Sequence, residues 1–179
     1  MADDIFEARG FIGDVDNTRH LVEVRLNIGT YKSCYSFRDF IYAPQEEEVD
    51  LTTDFVRARV NEFPRRDVVL VRKRATWQGI CKRDEIVLER EFRTLVEAEG
   101  CVRKEFSRYK RRFSYSRYGW EYSFSGCNVH VEEIEYLGPS VEVHASTLKE
   151  LEETLRLLEV DKMFTTSVAE AVRRKIETD

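Results

Sequence analysis

The chain has 179 residues, of which 29 are Lys or Arg and 34 are Asp or Glu, giving a formal net charge of −5. With 42% hydrophobic and 35% charged residues, the composition is that of a globular protein and argues against an intrinsically disordered chain. We therefore expect a single domain over residues 1–179.

No apolar run approaches the ~20 residues of a membrane-spanning helix, so we expect no transmembrane or secretory segment and no membrane partner. The cysteines form neither a Cys-x-x-Cys pair nor a zinc-ligand spacing with a histidine. They are widely scattered, at Cys34, Cys81, Cys101 and Cys127. This pattern predicts reduced thiols in a cytoplasmic protein.

The net charge conceals an uneven distribution along the chain. Residues 55–117 contain 18 Lys or Arg but only 9 Asp or Glu, whereas the two ends are acidic. An acidic protein lacks the broad positive surface from which nonspecific DNA-binding proteins gain affinity. The distribution favours an inward-facing pocket for a small polyanion, with a solvated basic surface as the alternative.

Charged and apolar residues alternate with period two in much of the chain, as in strands with one apolar and one charged face. Five predicted strands have this pattern: Leu21–Ile28, Phe55–Val60, Lys82–Glu89, Lys110–Ser114 and Val141–His144. Each of them carries charged residues on its polar face. If the sheet closes into a barrel, these side chains point into its lumen.

Three helices are predicted. The first covers Phe92 to Glu99 and ends at Gly100. The second begins at Ser146 and Thr147, because Thr147 and Glu150 have the spacing of a capping box. Its apolar stripe consists of Leu148, Leu151, Leu155 and Leu158. The third covers Ser167 to Lys175.

In their order along the chain, these segments resemble the CYTH family, which includes class IV adenylate cyclases and thiamine triphosphatases within the triphosphate tunnel metalloenzymes. The segments similar to family motifs are Val22–Leu26, Ser36–Tyr42, Phe55–Arg59, Leu70–Lys73, Arg83–Glu85, Lys110–Tyr115, Glu132 with Leu137 and Gly138, and Glu142–His144. The resemblance implies an α+β fold whose mainly antiparallel strands close into a tunnel with a few flanking helices.

The chain departs from the family pattern at several positions. In this alignment Leu21 stands in place of the first glutamate of the opening motif, Arg25 in place of its lysine, and His144 in place of the final glutamate. The distance from Ile28 to Ser36 leaves no room for the helix that usually joins the first two strands. Arg38 and Asp39 are expected to pair with each other.

The resemblance implies a basic tunnel that binds a triphosphate. Arginine offers a planar fork of donors to phosphate oxygens, and lysine offers a point charge. The expected substrate-binding residues are Arg25, Arg57, Arg59, Lys73, Arg83, Lys110 and Arg112. Strands would hold these groups rigidly, which favours positioning in phosphoryl transfer.

The resemblance also implies carboxylates that hold Mg²⁺ or Mn²⁺ beside the phosphates. The expected metal ligands are Glu23, Glu85, Glu132 and Glu142. The expected catalytic residues are Glu23, Glu85, Lys110, Glu142 and His144. His144 could bind Mn²⁺, accept a proton or contact a phosphate, whereas His20 and His130 are assigned structural roles.

Four functions are compatible with this set of residues. The first is metal-dependent hydrolysis of tripolyphosphate, a nucleoside triphosphate or thiamine triphosphate. The second is an adenylate cyclase, which uses similar phosphate contacts but attacks the α-phosphate. The others are a polyphosphate- or nucleotide-binding module without catalysis and an RNA 5′-triphosphatase. The protein is expected to act as a monomer or homodimer on a small polyanionic substrate.

Overall fold

The computed structural model describes residues 6–25, 29–45, 50–51, 54–78, 81–124, 127–160 and 162–178. Its strands are β1 (Phe6–Phe11), β2 (Gly29–Pro44), β3 (Asp54–Phe63), β4 (Val68–Gln78), β5 (Cys81–Phe92), β6 (Tyr109–Phe124), β7 (Cys127–Ile134), β8 (Gly138–Ala145) and β9 (Lys162–Met163). Its helices are α1 (Val15–His20), α2 (Leu95–Glu105), α3 (Leu148–Leu157) and α4 (Val168–Thr178). A π-helical segment, Leu21–Arg25, follows α1.

The strands form one sheet in the order β5-β4-β3-β2-β6-β7-β8-β1-β9, and β1 also pairs with β5. The pairings of β1 with β8, β2 with β3, β3 with β4 and β7 with β8 are all antiparallel. The predicted α+β class with mainly antiparallel strands is therefore confirmed.

Contacts divide the chain into two compact units, each assembled from separate segments. The first unit contains residues 1–34, 77–83 and 118–165, and the second contains residues 35–76, 84–117 and 166–179. The expectation of one domain over residues 1–179 stays a prediction.

The core of the first unit lies between α3 and the apolar faces of β1, β7 and β8. Val129, Val131, Val141 and Val143 are fully buried in it. The predicted start of α3 is confirmed, since Thr147 and Glu150 form a capping box. Three of the four predicted stripe leucines, Leu151, Leu155 and Leu158, are buried, whereas Leu148 is 47% exposed.

The core of the second unit joins α2 to the apolar faces of β2, β3 and β4. Phe40, Val56, Ala58, Leu70 and Val102 belong to this core. Alternation along β3 places Arg57 and Arg59 on the face opposite Val56 and Ala58, as the sequence predicts.

The predicted strand at Leu21–Ile28 is wrong over its described part, because Leu21–Arg25 is π-helical. A strand would place Val22 and Val24 on one face, yet Val22 is fully buried and Val24 is 58% exposed. The first strand is instead β1, nearer the start of the chain. The prediction that no helix joins the first two strands is also wrong, because α1 lies between β1 and β2.

The predicted end of α2 at Gly100 is wrong too, because the helix continues to Glu105. A glycine inside a helix costs only about 1 kcal/mol relative to alanine. The capping box formed by Thr94 and Glu97, together with burial of Ala98 and Val102, favours the longer helix. The predicted third helix is confirmed as α4, whose bounds are Val168–Thr178.

None of the described helices is long and apolar enough to span a membrane.

Two glycines of the first unit give a matched test of its packing. A Cβ at Gly10 would overlap the Val160 side chain and lie 3.1 Å from the carbonyl oxygen of Lys162, whereas a Cβ at Gly13 would meet nothing within 4 Å. Gly10→Ala should therefore destabilise the protein by about 1–3 kcal/mol. Urea unfolding followed by circular dichroism measures the difference.

Gly13→Ala is the control, and we expect it to be neutral or slightly stabilising. Equal midpoints for the two variants would contradict the close approach of Val160 to β1.

Candidate functional site

Three neighbouring strands of the first unit present a continuous polar face. In the strand register, Glu7 of β1 lies opposite His144 of β8, and Arg9 lies opposite Glu142. On the other side of β8, His130 of β7 lies opposite Glu142, and Glu132 lies opposite Ser140. Because side chains alternate, all of these residues share the face opposite the valine core. We call Glu7, Arg9, Glu132, Glu142 and His144 the carboxylate cluster.

Arg9 is the link between two acids of this cluster. Its guanidinium forms ion pairs with Glu132 through Nη1 and with Glu142 through Nη2. Nη1 also donates to Oγ of Ser140 at 3.2 Å. Only 6% of the Arg9 side chain and 2% of the Glu132 side chain are exposed. Arg9 therefore neutralises a buried carboxylate and fixes the position of Glu142.

His144 lies beside the other oxygen of Glu142. Its Nε2 atom is 3.7 Å from Oε1 of Glu142 and 3.9 Å from Oε2 of Glu7. This Nε2 atom is buried and makes no hydrogen bond with the described part of the protein. Glu7, Glu142 and His144 each offer one ligand atom, and these atoms all lie within 4.8 Å of one another.

The charges in this cluster shift the pKa values of its members. Burial opposes ionisation of Glu142, but Arg9 and His144 outweigh it and hold the pKa of Glu142 well below its usual range. Burial opposes protonation of His144, but the nearby carboxylates of Glu142 and Glu7 outweigh it and leave the pKa of His144 raised. Burial lowers the pKa of the neighbouring His130.

A second polar face lies in the second unit, on β2, β3 and β6. Asp39 of β2 lies opposite Arg59 of β3, two residues from the pair formed by Ile41 and Arg57. Arg59 binds Asp39 in a bidentate manner, with Nε at 2.8 Å and Nη2 at 3.0 Å. Arg117 of β6 donates to the same carboxylate at 3.4 Å. We call Asp39, Arg57, Arg59 and Arg117 the arginine cluster.

Asp39 is fully buried and carries the negative charge within this cluster. Burial by itself would raise the pKa of Asp39, but the charges of Arg59 and Arg57 outweigh it and hold that pKa well below its usual range. Phe37 packs between two of the arginines, with its ring centre 3.5 Å from Cζ of Arg59 and 4.7 Å from Cζ of Arg117. The side chains are thus held by both charge and cation–π contact.

Arg57 contacts Asp39 at a longer distance than Arg59 and Arg117 do. Its Nε atom lies 3.7 Å from Oδ1 of Asp39, beyond hydrogen-bond distance. That atom is buried and has no hydrogen-bond partner among the described residues. Lys73 of β4 lies opposite Phe55, and therefore on the same strand face as Arg57.

The other predicted site residues lie apart from these contacts or outside the described side chains. Glu23 accepts a hydrogen bond from Oη of Tyr122 at 2.6 Å. Glu85, Lys110 and Arg112 are exposed, and Arg112 donates to the carbonyl oxygen of Pro44 at 3.4 Å. Arg25 and Arg83 have side chains outside the described part of the structure.

Sequence reasoning missed Glu7, Arg9 and Arg117 as site residues. Glu7 and Arg9 alternate with Ala8 and Gly10 in β1, a signal that the similar pattern at residues 21–25 obscured. Asp39 was expected to pair with Arg38, but in a strand adjacent side chains point to opposite faces. Arg38 instead donates to Oγ of Ser116 at 3.1 Å.

Glu7, Glu142 and His144 together could hold a divalent metal ion. Two ligand atoms that are each about 2.1 Å from an ion are about 3.0 Å apart at right angles and about 4.2 Å apart when opposite. Nε2 of His144 lies 3.7 and 3.9 Å from the two carboxylates, and all three ligand atoms lie within 4.8 Å of one another, so a small inward movement would bring them into this range. Two carboxylates and an imidazole nitrogen are common ligands of divalent cations. Glu132, in contrast, contacts Arg9.

Comparisons with known proteins place this geometry within a known fold. No protein-family model matches the chain, and no curated protein matches its sequence. The PH1819 protein of Pyrococcus horikoshii is similar in structure, with a TM-score of 0.78, 18% identity, and coverage of 96% of this chain and 99% of that protein.

Two further solved structures are similar over nearly their whole length. The HpAC1 protein of Hippeastrum, described as having a dominant triphosphatase activity, has a TM-score of 0.69 and 14% identity, covering 96% of each chain. A candidate adenylate cyclase of Vibrio parahaemolyticus has a TM-score of 0.69 and 12% identity, covering 97% of this chain and 99% of that one. The chain therefore has the fold of the CYTH and triphosphate tunnel proteins, as its sequence predicts.

Proposed function

We propose that the protein is a divalent-metal-dependent triphosphatase acting on tripolyphosphate, a nucleoside triphosphate or thiamine triphosphate. The observation that carries this proposal is the charge of the arginine cluster, in which three guanidinium groups share the single carboxylate of Asp39. Like charges held together on a sheet repel one another. An anion with several oxygens would relieve this repulsion.

Phosphate chemistry suits the donors that the cluster offers. Guanidinium groups present planar donor forks to phosphate oxygens, and Nε of Arg57 is buried without a hydrogen-bond partner among the described residues. Lys73 adds a further positive charge on the same strand face. Donors held on paired strands are preorganised, and phosphoryl transfer depends mainly on such positioning and on electrostatic stabilisation.

The carboxylate cluster supplies the metal-binding part of the proposal. When bound, a divalent ion would neutralise phosphate charge and lower the pKa of a coordinated water. Glu7, Glu142 and His144 would hold this ion, while Arg9 fixes the orientation of Glu142. The roles of Glu23, Glu85, Glu132 and Lys110 in the site stay predictions.

The fold is shared with the HpAC1 protein, with its described triphosphatase activity, and equally with a candidate adenylate cyclase, so cyclisation is the alternative to hydrolysis. The two reactions leave different products. A triphosphatase releases inorganic phosphate, whereas a cyclase acting on ATP releases pyrophosphate and cyclic AMP. Product analysis therefore separates them in one experiment.

We expect the purified protein to release phosphate from at least one of the three substrates when Mg²⁺ or Mn²⁺ is present. Arg57→Ala should lower kcat/KM by roughly 10²–10³-fold, the cost of removing one preorganised donor from a transition state. A colorimetric phosphate assay over the substrate panel measures both. Circular dichroism and thermal melting check that the variant remains folded.

Arg74→Ala is the matched control. Arg74 is exposed on β4, so this substitution should leave kcat/KM unchanged. If the products are cyclic AMP and pyrophosphate, the triphosphatase proposal is wrong and the protein is an adenylate cyclase. A panel without any turnover, combined with calorimetric binding of tripolyphosphate, would support a binding module instead.

Asp39 generates a second prediction, about stability and pH. Its pKa is depressed in the folded state, whereas an unfolded aspartate has a pKa of about 3.9. The stabilisation by Asp39 is therefore present at neutral pH and is lost as pH falls below about 4 towards the folded pKa. Asp39→Asn should cost about 3–5 kcal/mol at pH 7, because it leaves charged arginines uncompensated.

In urea unfolding, the difference between the wild type and Asp39→Asn should be the same at pH 7 and pH 5 and smaller at pH 3. Tripolyphosphate should raise the Tm of this variant more than that of the wild type, because an anion can take the place of the lost carboxylate. Asp16→Asn, at a site 88% exposed, is the control. A constant difference at all pH values would contradict the assigned role of Asp39.

A further inference from the structure

We infer that His144 makes the carboxylate cluster selective for first-row transition metal ions, among them Mn²⁺, over Mg²⁺. The inference rests on the proposed function and names the metal that the same site takes. It concerns a residue at which this chain departs from the acid that the family resemblance leads one to expect.

The first argument is the chemistry of the three donors. Mg²⁺ demands oxygen ligands in near-ideal octahedral geometry and loses its waters reluctantly. An imidazole nitrogen is a better ligand for transition metal ions, whereas carboxylates serve both classes. Replacing one carboxylate of such a site by an imidazole therefore weakens Mg²⁺ binding more than Mn²⁺ binding.

The second argument is that the imidazole nitrogen is in the right place. Nε2 of His144 lies 3.7 Å from Oε1 of Glu142 and 3.9 Å from Oε2 of Glu7. It is buried and makes no hydrogen bond with the described residues. A metal ion held there would interact with a polar atom that has no hydrogen-bond partner among the described residues.

The third argument is that the two carboxylate oxygens of Glu142 have different neighbours. Arg9 engages its Oε2 atom, while its Oε1 atom is the one that lies beside His144. The carboxylate is thus oriented by one oxygen and offers the other. Such a contact behind a ligating group fixes its orientation and tunes the metal site.

The fourth argument is charge. The carboxylate cluster contains three carboxylates, those of Glu7, Glu132 and Glu142, and one guanidinium, that of Arg9. This excess of carboxylates over guanidinium groups favours a bound cation. The grouping of one ligand atom each from Glu7, Glu142 and His144 suits a single ion.

The test uses Mn²⁺ alone as the probe of the full-length protein. We expect one Mn²⁺ per chain by electron paramagnetic resonance titration, with a Kd at least tenfold lower than that of Mg²⁺ measured by competition. Electron spin echo envelope modulation of bound Mn²⁺ should show coupling to a ¹⁴N nucleus. This readout reports the imidazole ligand directly and does not depend on activity.

Two variants and a control make the result specific. His144→Glu should abolish the ¹⁴N coupling and reduce the preference for Mn²⁺ over Mg²⁺ to less than threefold. His144→Ala should weaken Mn²⁺ binding at least tenfold. His20→Ala is the matched control, because His20 is exposed on α1, and it should leave both the coupling and the affinity unchanged.

Absence of Mn²⁺ binding, or ¹⁴N coupling that persists in a folded His144→Glu variant, would overturn the inference. The outcome is distinguishable from that of the proposed function. Nitrogen-coupled Mn²⁺ without phosphate release would refute the triphosphatase and leave the metal assignment standing. Phosphate release with Mg²⁺ and no ¹⁴N coupling would refute the metal assignment alone.

Discussion

Compensation of charge across paired strands is the constraint on which both polar faces depend. A charge removed from water is tolerated only when a neighbouring group pairs with it. In the first unit, Arg9 meets this need for Glu132 and Glu142, and in the second unit Asp39 meets it for Arg59. Within the described members of the two clusters, acids outnumber arginines in the carboxylate cluster, and arginines outnumber acids in the arginine cluster.

These residual charges are what connect the fold to a function. The carboxylate cluster retains negative charge beside an imidazole nitrogen without a hydrogen-bond partner among the described residues. The arginine cluster retains positive charge around one fully buried acid. Under the proposed function, a metal cation would bind the first cluster and a phosphate group the second. A protein that binds both ligands has the components of metal-assisted phosphoryl transfer.

The period-two pattern predicts much of this arrangement because a strand has only two faces. Alternation alone places Arg57 and Arg59 on the polar face of β3 and Glu142 and His144 on that of β8, and the strand register agrees. Alternation over five residues is not sufficient, however. Leu21–Arg25 has the same pattern as a strand but forms a π-helical segment.

Long-range pairing is what the sequence cannot supply. Glu7 and His144 are far apart in the chain and meet only because β1 pairs with β8. Likewise, Asp39 binds Arg59 and Arg117 on two different strands, not the adjacent Arg38. Residue order alone does not give strand register, so the partners of the charged residues emerge only from the fold.

A crystal structure with Mn²⁺ and tripolyphosphate, recorded with anomalous diffraction at the manganese edge, tests the central claim most directly. The account predicts one anomalous peak between Glu7, Glu142 and His144, and phosphate oxygens within hydrogen-bond distance of Arg57 and Arg59. Manganese bound elsewhere, together with an arginine cluster that contacts no phosphate, would contradict it.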